Sequence, residues 1–189
     1  MRVRKDSPAS RPLRLLEAPA LRARLEEALA GHDGMAGAHC IHEFWMRRTP
    51  GFDVDAALER LWRSAASSVP EWLPMRFVDW LPEAYDVAAR FRAEGRGRYN
   101  VYLVLLDYSD RAGDPLGVYV GMTSHRPDWR FDQHKAGIHA AGSVLRRGLE
   151  LLAGPTLHLQ RIPRPDALRI EAGLAAALRD AGLTVQGGH

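Results

Sequence analysis

The chain has 189 residues, 46% hydrophobic and 26% charged, which suits one compact globular domain or two small ones. Its single cysteine, Cys40, excludes an intrachain disulfide and fits a reducing compartment, and the longest apolar run, 101–106, is far too short to span a bilayer. The net charge is +3, with 24 arginines and 2 lysines supplying the positive side; the bias suits phosphate contact but is also what GC-rich coding produces.

The N-terminal residues are basic with no apolar stretch behind them, so no secretory signal is expected and the expected location is cytoplasmic. Residues 1–12, with Pro8, Pro12 and many charges, read as a flexible arm. The spacing of Leu15, Leu21, Leu25 and Leu29 predicts a helix over 13–30, stopped by Gly31. A second helix is expected over 54–68, capped by Asp53, with Ala57, Leu58, Leu61, Trp62 and Ala65 on its apolar face. A third is expected over 82–92. Between them Trp72, Leu73, Phe77, Trp80 and Leu81 are too apolar for an exposed loop, and are expected to pack the two halves together. The polar, glycine-rich stretch 92–98 is the natural boundary, leaving 13–98 as a helical region that could set a protein partner.

The second half changes character. The continuous run 101–106 predicts a strand covered on both faces, 107–117 a turn-rich connection, and 116–120 the returning strand. Pro127 opens a helix ending near Gly137, another is expected over 143–152, and 156–161 is the third strand candidate. Pro165 opens the last helix, to about 181, with Gly182 as its stop and 183–185 as a short final strand. No helix or strand in the chain repeats another.

Four features of this half carry chemistry. Tyr102 and Tyr119 lie on strands that a hairpin connection makes neighbours; they could be core aromatics, or phenols made basic by a nearby cation. Arg130 and His134, four apart, share a helix face: the first could grip a phosphate and the second hydrogen-bond it or relay a proton. Glu171 emerges among Ala167, Leu168, Leu174 and Ala175, so its carboxylate rises from an apolar stripe where a cation or an arginine must offset its charge. A single hard oxygen ligand suits Mg²⁺ or Mn²⁺. Residues 124–164 hold seven cationic side chains against three carboxylates, a local excess of four, together with four histidines. That patch suits a phosphate backbone or a solvated face.

In this order and spacing, Asn100-Val101-Tyr102, Tyr119-Val120-Gly121, Arg130 to His134 and Glu171 resemble the GIY-YIG nuclease family over about residues 99–189. The resemblance implies an α/β chain of α+β type, with a small antiparallel or mixed three-stranded sheet flanked by helices. It implies a metal-dependent endonuclease acting on nucleic acid, DNA being the expected substrate, and leaving a 5′-phosphate and a 3′-hydroxyl. Tyr102, Tyr119, Arg130, His134 and Glu171 would be catalytic, with Glu171 holding Mg²⁺ or Mn²⁺. Thr123, Arg126, Lys135, Arg146 and Arg147 would contact the nucleic acid. The chain departs from the family pattern in having Asn100 for the first glycine, valines for the middle isoleucines, Met122 where relatives carry lysine, and Gln186 as the stand-in for a late asparagine. Two rivals stay open: a non-catalytic nucleic-acid-binding module on the same fold, and a protein-interaction adaptor dominated by the tryptophan-rich first half.

His32, Asp33, His39, Cys40, His42 and Glu43 form one competing cluster, rich enough in ligands for zinc but without a second pair at a regular distance. Packing and surface roles are the expectation for them.

Overall fold

In the computed structural model, which describes residues 7–188, Asp53 starts a helix as its side chain suggests: its carboxylate accepts the N–H of Ala56 at 2.9 Å, satisfying a donor the first helical turn leaves open. Asp33 does the same for Ala36, and so opens a helix that the apolar spacing alone did not reveal. The elements of the first half are α1 (Ala18–Ala30), α2 (Gly34–Met46) and α3 (Val54–Ala65), the last continued by a 3-10 turn over Ala66–Ser68. α1 packs on α2 and α2 on α3, around Leu21, Ile41, Phe44, Trp45, Leu58 and Leu61. The chain divides into two compact units between Pro82 and Glu83, within α4 (Leu81–Ala88).

The polar stretch 92–98 is therefore no linker. It is part of the second unit, and Gly97 lets its backbone lie close against Ile162: Gly97 N–H donates to Arg161 O at 2.8 Å, and Tyr99 bridges Ile162. Glu94 N–H donates to Asp166 at 2.9 Å. Of the tryptophan-rich segment, Trp72, Leu73, Trp80 and Leu81 are buried but Phe77 is 40% exposed. Of the arm expected over 1–12, residues 1–6 lie outside the described residues. Residues 7–12 are fastened: Pro8 is buried in a 3-10 turn and the Arg11 guanidinium makes two hydrogen bonds to Glu43, at 2.6 and 3.0 Å.

Glu43 shows how the candidate zinc cluster is spent. Burial alone would raise its carboxyl pKa, but hydrogen bonds from Arg11 and Arg47 outweigh burial and hold it below the usual value. Asp33 caps α2, His32 meets Ser64, and His39 and His42 pack against the Trp72 ring. Burial pushes the Cys40 thiol up to about 11, away from the thiolate a metal would need. Among the described residues no group of three or more histidine, cysteine or carboxylate side chains gathers to cage a metal ion.

His42 gives a pH dependence with a definite sign. Burial pushes its imidazole down to about 3, whereas the unfolded chain takes up that proton near pH 6.5. Its contribution is therefore intact above pH 6.5 and lost as pH falls toward 3. The loss between pH 7 and pH 5 is about 2 kcal/mol. Thermal denaturation across that range is expected to show a falling midpoint, with a shallower fall in His42→Gln.

The second unit is built on a four-stranded sheet of order β3-β1-β2-β4, one strand more than the resemblance implies. β1 (Asn100–Asp107) and β2 (Leu116–Thr123) pair antiparallel at its centre, as the two apolar runs predict. Residues 100–106 are buried throughout, because both faces of the strand are covered. α5 (Pro127–Lys135) and α6 (Gly142–Arg147) follow, then β3 (Gly148–Leu151), a 3-10 turn over Gly154–Leu159, α7 (Arg164–Asp180) and β4 (Val185–Gly187), parallel to β2.

Two expectations fail together here. The helix expected over 143–152 stops at Arg147, where Gly148 turns extended, and the remainder pairs with β1 as its edge partner. With that edge taken, the strand expected over 156–161 has no ladder to join; Pro155 opens a 3-10 turn instead. Gln160 Nε2 then donates to the Val101 carbonyl at 2.8 Å, satisfying by side chain an acceptor a strand would have used.

No helix among the described residues is long and apolar enough to cross a membrane.

Candidate active site

The register of β1 against β2 places Tyr102 opposite Gly121 and Val104 opposite Tyr119, so both tyrosines rise from one face of the sheet. Their rings lie 6.1 Å apart between centroids. Gly121 makes this approach possible. A Cβ there would stand 2.6 Å from Tyr119 Cε1 and 2.8 Å from Tyr102 Oη, inside contact distance. Gly121→Ala must therefore displace both rings, one of them 1% exposed, and is expected to cost about 1–3 kcal/mol in denaturant unfolding.

α5 brings His134 to the same cluster. Its ring centroid is 6.4 Å from that of Tyr102 and 5.9 Å from that of Tyr119, and its Nε2 is 2.9 Å from Tyr102 Oη. The other ring nitrogen, Nδ1, accepts the backbone N–H of Ala141 at 2.9 Å. A nitrogen that accepts carries no proton, so the neutral ring holds its hydrogen on Nε2 and donates to the Tyr102 oxygen. Burial, aided by the Arg130 charge, pushes His134 down to about 4, so the neutral form prevails at pH 7.

Tyr102 and Tyr119 also act on each other's ionisation. Burial raises both phenols, and the nearby Glu171 raises them further; their mutual hydrogen bond raises Tyr102 but lowers Tyr119, and Arg130 lowers both. Hydrogen bonds thus run in one direction from Ala141 through His134 to the Tyr102 oxygen, beside the Tyr119 ring. Tyr119, half-buried and lowered by its interaction with Tyr102, is the phenol better able to carry negative charge.

Glu171 lies on α7, which packs against β1, β2 and β4, and it is 9% exposed, as its place in an apolar stripe predicts. β4 adds Gln186, which stands opposite Tyr119 in the register. Arg130 is within electrostatic reach of both tyrosines but has other partners: Gln133 Oε1 at 3.2 Å and the carbonyls of Ile138 and His139 at 3.3 and 2.8 Å.

The five expected nucleic-acid contacts separate. Thr123 is buried and its hydroxyl accepts the His125 N–H at 3.1 Å. Lys135 donates to Gly148 O at 2.9 Å, bracing the start of β3. Arg147 pairs with Asp110 at 2.6 Å, lies over the Tyr108 ring and donates to Asp107 O, five residues along β1 from Tyr102, or about 17 Å of strand. Arg126, just before α5, is exposed and paired with Asp128; Arg146 is exposed on α6.

Sequence reasoning missed Asn100 as a brace. Its Nδ2 donates to His125 O at 2.7 Å and its Oδ1 accepts Arg161 N–H at 2.9 Å, tying together the loops after β2 and before α7. The signal was an amide in a motif position usually held by glycine. The Ala141 N–H carried no sequence signal, being a backbone group placed by the turn between α5 and α6.

No family model matches the chain, and no curated protein or solved structure matches it.

Proposed function

We propose that residues 83–189 form a divalent-metal-dependent endonuclease module that hydrolyses phosphodiester bonds, with DNA as substrate. The observation that carries this reading is the hydrogen-bond chain from Ala141 through His134 to Tyr102, set beside Tyr119, with Glu171 and Arg130 both in electrostatic reach of the Tyr119 phenol. Tyr119 is the base that takes a proton from the attacking water. Tyr102 and His134 are positioning residues: they hold a donor on the Tyr119 oxygen and so favour its anion. Arg130 stabilises charge on the phosphate, exchanging its loop carbonyls for phosphate oxygens as the substrate arrives.

The donor set fits Mg²⁺ or Mn²⁺ better than a softer metal. A single largely buried carboxylate, Glu171, lies within electrostatic reach of both phenols, which suits a hard cation that keeps water and takes phosphate oxygens as its remaining ligands. When bound there, the ion supplies positive charge to the phosphate and makes phenol ionisation easier. Product ends of 5′-phosphate and 3′-hydroxyl follow from the same resemblance.

The test is a cleavage panel of single-stranded, duplex and branched DNA, and RNA, with Mg²⁺, Mn²⁺ or EDTA. Cleavage that depends on the divalent ion supports the proposal. Salt-sensitive binding without cleavage supports instead a non-catalytic binding module, a reading favoured by Met122 in place of a cation and by the engaged Arg130. Absence of both leaves an interaction adaptor.

A further inference from the structure

Trp129 is the one tryptophan after residue 80, and it behaves unlike three of the others. Trp45, Trp72 and Trp80 are 2%, 8% and 6% exposed; Trp129 is 47% exposed, on the first turns of α5 and directly before Arg130. Its ring is held by His125, which meets it edge to face at 4.2 Å and 79°. His125 is itself fixed at both backbone groups. Its carbonyl accepts the Asn100 amide, and its N–H donates to Thr123. The chain runs from the Tyr119–Gly121 strand through this braced turn and into the helix bearing Arg130 and His134.

An exposed, pre-ordered indole beside charged side chains is what a flat heteroaromatic ring needs for stacking. The surroundings favour a nucleobase over an apolar protein side chain. Arg126 lies between His125 and Trp129, Arg130 follows, and the 124–164 segment carries a local excess of four positive charges. Bases inside a duplex have both faces covered by their neighbours, whereas an unpaired base has a face to offer. We propose that Trp129, held by His125, is a stacking platform for an unpaired base next to the scissile phosphate, so that the module selects single-stranded or locally unpaired nucleic acid. This rests on the nuclease reading of the same site and adds the substrate class.

The test compares dissociation constants with Ca²⁺ replacing Mg²⁺, for a mixed-sequence single-stranded oligodeoxynucleotide, the same oligonucleotide made abasic, and the blunt duplex. Trp129→Ala is expected to weaken single-strand binding about 5- to 150-fold, with Trp129→Phe retaining most of it. Wild type should bind the abasic strand about as weakly as Trp129→Ala binds the natural one, and should prefer single strand to duplex. Single-strand binding should quench tryptophan fluorescence in the wild type but much less in Trp129→Phe. The platform is overturned if the abasic and natural strands bind equally, or if Trp129→Ala affects strand and duplex alike. Divalent-dependent cleavage surviving beside that result removes the platform alone. Absence of any nucleic-acid binding or cleavage by the wild type removes the nuclease reading with it. The exposed position of Trp129 lets unchanged thermal midpoints in both variants confirm that folding is intact.

Discussion

Glu171→Gln is expected to lower divalent-dependent cleavage by roughly 10³-fold or more, while the protein stays folded. The amide keeps the size of the side chain but lacks the charge to hold a cation beside the phosphate. A neutral amide is also cheaper to bury than a carboxylate, and Glu171 is 9% exposed within the apolar stripe of α7. The thermal midpoint in metal-free buffer should therefore hold or rise slightly, and any stabilisation by added Mn²⁺ should vanish. A sharp loss of stability without metal would identify Glu171 as a structural ion-pair partner instead. Cleavage that persists in the variant would move the site elsewhere in the chain.

Tyr119→Phe is expected to lower cleavage by about 10²- to 10⁴-fold with little change in nucleic-acid affinity, because it removes the proposed base and leaves the ring in place. Tyr102→Phe should act differently. In the proposed mechanism its hydroxyl donates to Tyr119 and lowers that phenol, so its loss makes the Tyr119 anion harder to form. Cleavage by wild type should rise with pH as Tyr119 ionises; in Tyr102→Phe the rising limb should move to higher pH, and part of the lost rate should return in alkaline buffer. A pH–rate profile of both variants distinguishes the roles. Equal losses with unshifted profiles would remove the directional hydrogen-bond chain as the cause.

The residues of the candidate site were legible in the sequence to different depths. Tyr102 and Tyr119 could be placed together because two apolar runs joined by a turn-rich segment must pair antiparallel, and the observed register puts them on one face. The burial of Glu171 was legible from its neighbours three and four positions away. The roles of the cations were not. Lys135 and Arg147 look identical to free phosphate contacts in a sequence, yet each is bound to a carbonyl or a carboxylate from a distant element. His134 is likewise oriented toward the Tyr102 hydroxyl by the backbone of Ala141, which no residue type announces.

By itself the sequence determined what depends on neighbours within a few residues: the Asp53 cap, the prolines that open α5 and α7, and the two central strands, the first a continuous apolar run. Tertiary structure decided what depends on which edge is free and which partner is near. Leu149, Glu150 and Leu151 are good helix formers, but Gly148 ended the helix and β1 had an open edge, so they became β3. Residues 156–161 alternate like a strand, but that edge was filled, so 154–159 coiled into a 3-10 turn and Gln160 capped the remaining carbonyl. Local preference among these conformations is worth only tenths of a kcal/mol to about 1 kcal/mol per residue, whereas an unmet buried backbone group costs about 1–3 kcal/mol, so the pairing that satisfied β1 prevailed.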